Sequence, residues 1–157
     1  MLMKDLPDFC QKIKDIGLSL KLDTNGFFPS QLKYIVNSGL CDYVAMDVKN
    51  CPSKYAETVG VSFVDFSRLQ ESIEFLKSSS IDHEFRTTVC KPFHDLDSLV
   101  TIASFLGKDE KYFLQSFVDS GKLLGMGVSG FTPSEMKEFL AEVQKIVPKA
   151  ALRGVDN

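Results

Sequence analysis

The sequence lacks the features that mark several large classes of protein. Its 157 residues contain no apolar stretch near the ~20 residues that a membrane-spanning helix needs. The amino-terminal segment has no apolar signal-peptide core. A net charge of −3 gives no basic surface for nucleic acid. We therefore expect a cytoplasmic protein that binds neither nucleic acid nor a membrane.

Cysteine and histidine are too few and too scattered to form a recognisable metal site. The spacing of the cysteines matches neither a zinc-ligand pair nor an iron–sulfur ligand run, and they stand at Cys10, Cys41, Cys51 and Cys90. We predict that this chain binds no metal and that its thiols are reduced and mostly buried. No nucleophile-elbow serine or cysteine accompanies His83 or His94, so we expect surface positions for both.

Apolar residues follow helical and strand spacings in turn along the chain. Helical spacing is found over 6–16, 29–38, 65–79, 95–106 and 132–146. Strand spacing is found over 18–23, 43–48, 83–89, 111–117 and 150–153. This alternation predicts right-handed β–α–β crossovers and a parallel sheet. With 44% hydrophobic and 25% charged residues, we expect a single globular domain over residues 1–157.

Polar residues share one face of each predicted strand, because alternate side chains of a strand point the same way. Lys21 and Asp23 form one such set, Asp47 and Lys49 a second, and Glu84 and Arg86 a third. Strands covered by helices on both faces would instead read as continuous apolar runs. We therefore predict the α/β class, as a parallel (β/α) partial barrel whose helices cover one face and whose other face lines a polar cavity.

Charged residues stand at the ends of these strands, where parallel α/β folds bind their ligands. Carboxylates suit an ammonium group or ribose hydroxyls, whereas lysine and arginine suit a carboxylate or a phosphate. Together the residues indicate a zwitterionic ligand. The predicted binding residues are Asp23, Thr24, Asn25, Asp47, Lys49 and Arg86.

Simpler interpretations of the same residues stay open from the sequence alone. The run Asp23–Gly26 is also typical of a turn, and Asp47 with Lys49 is also typical of a strand-end ion pair. A buried Arg86 needs an acceptor, which Asp47, Asp23 or Glu84 can supply. A desolvated Lys49 can also form a Schiff base, which would make the protein a lyase.

Four glycines fall in the connection 118–132, which we expect to be the longest and most mobile loop. Residues 125–130 have the letters of the G-x-G-x-x-G motif. No strong strand leads into them and no acidic residue follows at the required distance after another strand. We therefore do not interpret them as a dinucleotide site.

Four segments together resemble one known family over nearly the whole chain. They read LDTNG at 22–26, DYVAMDVK at 42–49, EFRTTV at 84–89 and LQSF at 114–117. They are similar to the radical S-adenosylmethionine (SAM) activating enzymes of glycyl-radical proteins, and among these to the activator of anaerobic ribonucleoside-triphosphate reductase. The resemblance implies a partial barrel whose polar lumen holds SAM against a [4Fe-4S] cluster, which cleaves it to a 5′-deoxyadenosyl radical.

The resemblance also implies roles for individual residues. Asp23 and Thr24, with Asn25 beside them, would lie near the methionine carboxylate and a bound cation. Asp47 and Lys49 would face the methionine amino and carboxylate groups. Arg86 would approach the carboxylate or the sulfonium.

The chain departs from the family pattern because it has neither the three-cysteine cluster loop nor the following G-G-E-P-like motif. We therefore expect the carboxyl-terminal two-thirds of a radical SAM barrel, truncated at its amino-terminal strands, with the cluster bound only by the intact parent. The parent would activate a glycyl-radical enzyme, and this chain alone would be inactive, with no catalytic residue of its own. The strand at 18–23 would be an exposed edge that favours a homodimer. The alternative is a non-catalytic half-barrel that serves as a binding module.

Overall fold

A computed structural model describes residues 5–119, 121 and 127–155. Helices and strands alternate along these residues, as the apolar spacing predicts. The helices are α1 (Leu6–Asp15), α2 (Pro29–Asn37), α3 (Tyr55–Val59), α4 (Phe66–Ser78), α5 (Leu96–Leu106) and α6 (Pro133–Gln144), with a short 3-10 helix at Pro52–Lys54. The strands are β1 (Lys21–Thr24), β2 (Tyr43–Asp47), β3 (Asp82–Val89), β4 (Tyr112–Ser116) and β5 (Ala151–Arg153).

The strands form a five-stranded sheet in the order β1-β2-β3-β4-β5. The register is parallel and aligns Leu22 with Val44, Thr87 with Leu114, and Leu114 with Leu152. Sequential order with parallel pairing is the arrangement of a (β/α) barrel, in which each helix connects neighbouring strands. The predicted α/β class and parallel sheet are confirmed.

The chain divides into two compact units. The first unit contains the residues up to Asp47 together with Asp65–Glu84, and α2 packs against α4 within it. The second unit contains Val48–Val64 and the residues from Phe85 onward, and α5 packs against α6 within it. Fully buried apolar side chains form a core in each unit, with Leu32, Ile35, Val44, Leu69 and Ile73 in the first and Phe85, Leu99, Ile102, Leu114 and Met136 in the second.

Helix α6 begins as the sequence predicts. Thr132 accepts a hydrogen bond from the Glu135 main-chain N–H at 3.3 Å, and Glu135 accepts one from the Thr132 main-chain N–H at 2.7 Å. This reciprocal capping box satisfies two main-chain donors that the first turn of a helix leaves unpaired. Lys91 adds an ion pair to Glu135 at 2.9 Å.

Part of the glycine-rich connection can be described. Ser129 forms two antiparallel main-chain hydrogen bonds with Lys91, of 2.8 and 3.2 Å. The segment before α6 is thereby fixed to the turn that follows β3. Gly125 and Met126 lie outside the described residues, as do positions 120 and 122–124, so the predictions for residues 118–132 apply partly to undescribed chain.

None of the helices in the described ranges combines the length and the apolar character that crossing a membrane requires.

Candidate functional site

The first unit contains four of the predicted binding residues, at the carboxyl ends of β1 and β2. The register pairs Asp23 with Ala45 and Thr24 with Met46, so Asp47 ends the strand beside the turn that follows Thr24. Asp23 is exposed and Asp47 is half-buried. The two carboxylates therefore belong to adjacent strand ends, as the sequence predicts.

The turn after β1 is built by local hydrogen bonds. The Thr24 hydroxyl accepts from the Gly26 N–H at 3.1 Å, and the Asn25 side-chain oxygen accepts from the Phe27 N–H at 3.2 Å. The predicted turn is therefore present, and Thr24 and Asn25 shape it. Thr24 is buried and Asn25 is exposed.

Gly26 brings this turn against the core of the first unit. Its φ of 75° lies in the left-handed region, and its carbonyl accepts a 2.6 Å hydrogen bond from the buried Ser72 hydroxyl. A Cβ at this position would lie 2.1 Å from the Met46 Cε, closer than any real contact. Only glycine allows the main chain to approach this closely, so the position of the Asp23–Asn25 segment depends on Gly26.

A buried carboxylate occupies the polar face of the first unit. Glu84 is 4% exposed, and its carboxylate accepts a hydrogen bond from Lys21 at 3.2 Å and one from the Tyr43 hydroxyl at 3.1 Å. The Lys21 ammonium also lies 5.3 Å from the centre of the Tyr43 ring. The strand alternation correctly places Lys21 and Glu84 on one face, although it does not indicate that Glu84 is the buried residue.

The second unit contains Lys49 and Arg86. The Val48 N–H donates to the Arg86 carbonyl at 2.8 Å, which places Lys49 one residue beyond that contact. Arg86 is half-buried, so the expectation of a buried guanidinium is only partly met. Arg86 is the fifth of the eight residues of β3, and Glu84, two positions earlier in that strand, is the more deeply buried of the two.

Hydrogen bonds from side chains that were not predicted from the sequence hold the main chain around Lys49. The Thr87 hydroxyl donates to the Val48 carbonyl at 2.7 Å and accepts from the Tyr112 hydroxyl at 2.8 Å. Complete burial raises the pKa of Tyr112, so its hydroxyl keeps the proton that it donates. No local pattern indicated Thr87, which lies on the face of β3 opposite to Glu84 and Arg86.

The surface position predicted for His94 is wrong. His94 is 5% exposed, and its Nε2 lies 2.8 Å from the Lys49 carbonyl oxygen. Burial lowers the pKa of His94, which favours the neutral ring. His83 is half-buried, with its Nδ1 2.9 Å from the Ile81 carbonyl oxygen.

The four cysteines are free and buried, as predicted. Burial raises the pKa of Cys41 to about 11 and also raises the pKa of Cys10 and Cys90. Within residues 5–119, 121 and 127–155, no three histidine, cysteine, aspartate or glutamate side chains gather closely enough to hold a metal ion.

Comparison with known proteins places the chain beside activating enzymes. Over 109 residues it is 30% identical to a Methanocaldococcus jannaschii protein named "putative glycyl-radical enzyme activating enzyme". The match covers 66% of this chain, which spans only 45% of the length of that relative. No family model matches the sequence. Over the matched residues the chain is homologous to a protein named as an activating enzyme.

A solved structure shares the fold. The crystal structure of a domain of pyruvate-formate lyase-activating enzyme from Bacteroides vulgatus matches with a TM-score of 0.70 and 11% sequence identity. The match covers 95% of this chain and 89% of that chain. Identity this low shows the fold alone, and the fold is the one that the sequence analysis predicts.

Proposed function

We propose that this chain is the SAM-binding part of a radical SAM activating enzyme whose protein substrate is a glycyl-radical enzyme. The observation that carries the proposal is the 30% identity to the Methanocaldococcus jannaschii protein. The fold shared with a domain of an activating enzyme supports it. The resemblance of the strand-end segments favours anaerobic ribonucleoside-triphosphate reductase as the protein that the whole enzyme activates.

The charges at the strand ends suit the methionine part of SAM. An α-amino group requires carboxylates, and an α-carboxylate requires cationic donors. In the first unit, Asp23 and Asp47 supply carboxylates, and Thr24 and Asn25 shape the turn beside them. In the second unit, Lys49 and Arg86 supply cations. We propose all six as SAM-binding residues.

Because Asp47 is half-buried, we expect it to contribute more to the free energy of SAM binding than an exposed carboxylate would. Water screens a charge less where part of the side chain is removed from solvent. A hydrogen bond between charged groups in such a place is worth about 1.5–3 kcal/mol, whereas exposed ion pairs are worth about 0–1 kcal/mol. Asp47 is therefore the residue whose loss should weaken binding most clearly.

The [4Fe-4S] cluster implied by the family resemblance does not fit the cysteines of this chain. Cys10 and Cys41 belong to the first unit, Cys51 and Cys90 belong to the second, and all four are buried. We therefore assign no cluster ligand and no catalytic step to these residues. When SAM is bound in a complete activating enzyme, it supplies the radical chemistry, and the residues proposed here bind and orient it.

The test is calorimetric titration of SAM into the chain and two variants. We expect Asp47→Ala to weaken binding by roughly 10- to 150-fold, from the loss of a charge-assisted hydrogen bond. Asp109→Ala is the matched control, because Asp109 is an exposed carboxylate between α5 and β4, and it should bind like the wild type. Equal affinities for Asp47→Ala and the wild type would show that Asp47 is not a SAM-binding residue.

A non-catalytic half-barrel that serves as a binding module is the second candidate, and it requires no cluster ligand among the cysteines of this chain. The same titration separates the two functions. A chain that melts cooperatively but shows no heat of SAM binding would support the module and contradict the first proposal.

A further inference from the structure

Two buried polar side chains of the second unit join the turns that follow β2 and β3. Asn50 is fully buried one residue after Lys49, and His94 is 5% exposed in the turn after β3. We propose that neutral His94, with its proton on Nε2, is a positioning residue that fixes the main chain of Lys49 for ligand binding. The ligand part of this inference depends on the proposed function.

The tautomer follows from the partners of the ring. The Lys49 carbonyl oxygen can only accept, so the Nε2 atom at 2.8 Å must carry a proton. The Cys90 N–H can only donate, so the Nδ1 atom at 3.3 Å must offer a lone pair. One neutral tautomer satisfies both contacts. The Cys90 carbonyl oxygen, 3.2 Å from Nδ1, would accept a hydrogen bond only if Nδ1 carried a proton, and together with the proton on Nε2 this would make the ring doubly protonated.

Asn50 makes a second connection between the same two turns. Its amide group donates to the Phe93 carbonyl oxygen at 2.9 Å and to the Thr58 hydroxyl at 2.8 Å. Its side-chain oxygen accepts from the Cys51 N–H at 2.7 Å. All hydrogen-bonding groups of this buried amide except one lone pair are therefore used, and the chain just after Lys49 is fixed.

Both main-chain polar groups of Lys49 contact buried side chains. Its carbonyl accepts from His94, and its N–H donates to the Tyr55 hydroxyl at 3.4 Å. A lysine loses side-chain freedom when it binds a ligand, and a mobile main chain would add to that cost. By fixing the main chain in advance, His94 should raise the affinity of Lys49 for an anionic group.

The charges around the ring indicate how acid would affect this arrangement. Burial disfavours the charged ring most strongly, and hydrogen bonds with the main chain of Lys49 and Cys90 favour it. The Lys54 ammonium disfavours the charged ring, and the Asp95 carboxylate favours it. Lys54 and Asp95 form an ion pair with each other. The Cys90 thiol, whose Sγ lies 3.9 Å from Nδ1, has a pKa raised by burial and is neutral. Protonation would place a charge in this buried position and remove the acceptor for the Cys90 N–H.

The experiment compares the wild type with two variants. His94→Gln keeps an N–H donor near the position of Nε2 but does not titrate, and His94→Phe keeps a ring without polar atoms. The measurements are the ring tautomer by nitrogen NMR, hydrogen exchange of the Lys49 amide, and SAM affinity, each at pH 8 and at an acidic pH where nitrogen NMR shows the wild-type ring to be protonated.

We expect an Nε2–H ring in the wild type at pH 8, with Lys49 exchange faster and SAM affinity lower at the acidic pH than the change in pH alone produces. His94→Gln should bind within about threefold of the wild type at pH 8 and lose this dependence. His94→Phe should bind roughly tenfold more weakly at both pH values, the loss of about one hydrogen bond to a buried carbonyl. An Nδ1–H ring, or unchanged Lys49 exchange in His94→Phe, would overturn the proposal.

Two of these measurements test the role of His94 without depending on SAM binding. The tautomer and the hydrogen exchange need no ligand, so a wild-type chain that fails to bind SAM would contradict the proposed function while those measurements still test His94. If His94→Phe does not fold, the comparison of wild type with His94→Gln at the two pH values decides. Equal pH dependence of Lys49 exchange in both proteins would then overturn the role of His94.

Discussion

Replacing Gly26 by alanine should destabilise the protein far more than replacing Gly39, although both glycines have left-handed main-chain angles. Their φ values are 75° and 67°. At Gly39, which follows α2, an added Cβ would have no atom within 4 Å. At Gly26 it would lie 2.1 Å from the Met46 Cε and 3.0 Å from the Leu69 Cδ1. The two substitutions therefore share the conformational strain and differ in packing.

The expected magnitudes follow from these two contributions. The left-handed conformation costs a residue with a Cβ about 1–2 kcal/mol, which is the whole effect expected for Gly39→Ala. Overpacking of a core adds about 1–3 kcal/mol. The Met46 methyl group is the end of a flexible side chain, but Met46 has no exposed surface, so the methyl must move into occupied space. We expect Gly26→Ala to lose about 2–5 kcal/mol of unfolding free energy.

Urea denaturation of the wild type and both variants, followed by circular dichroism, measures the difference. The unfolding midpoint of Gly26→Ala should fall well below that of Gly39→Ala at the same denaturant slope. Equal losses for the two variants would refute the packing argument and show that strain alone accounts for Gly26. If the methyl contact is the cause, the double variant Gly26→Ala, Met46→Ala should lose less free energy of unfolding than the sum of the two single losses, because Met46→Ala alone leaves a cavity.

Four further measurements test other parts of the structure. The main-chain hydrogen bond at the start of α6 lowers the pKa of Glu135 from 4.5 to about 2, so its stabilisation is present above pH 4.5 and is lost as the pH falls towards 2. Glu135→Gln should flatten the pH dependence of unfolding in that range. Tyr112→Phe should cost about 1 kcal/mol in urea denaturation by removing the hydrogen bond to Thr87, whereas Tyr34→Phe at an exposed position should be neutral. Ellman's reagent at pH 8 should modify the thiols, including Cys41 with its pKa of about 11, only as fast as the protein unfolds. Anaerobic reconstitution with iron and sulfide should yield no stoichiometric cluster, and an electron paramagnetic resonance signal from one would contradict the site description.

Local signals were sufficient to predict most of the helices and strands. Thr132 and Glu135 lie three residues apart and form the predicted capping box, because both partners belong to one turn of chain. Strand alternation placed Lys21 and Glu84 on one face, and the structure joins them by an ion pair. Alternation does not indicate how deeply each residue of a face is buried, so it could not predict that Glu84 rather than Arg86 is the buried residue.

The residues that hold the Lys49 segment could not be predicted in the same way. His94 contacts Lys49 across 45 positions of sequence, and Asn50 contacts Phe93 across 43. No local pattern encodes such a distance, so His94 in a polar loop suggested exposure. The signal that was available is Asn50 itself, a polar residue two positions beyond the predicted strand 43–48 and just before Cys51 and Pro52.

The contact of Glu84 with Lys21 and Tyr43 also bears on how faithfully the strands align during folding. In the native alignment Lys21 stands opposite Tyr43. A slip of β1 by one residue would turn Lys21 to the other face and present Leu22 in its place. The ammonium of Lys21, whose side chain is 46% exposed, would then be withdrawn from a carboxylate that is 4% exposed, and losing a charge-assisted hydrogen bond of this kind costs about 1.5–3 kcal/mol. Loss of the Lys21–Glu84 contact therefore raises the free energy of a misaligned sheet, independently of how well its apolar residues pack.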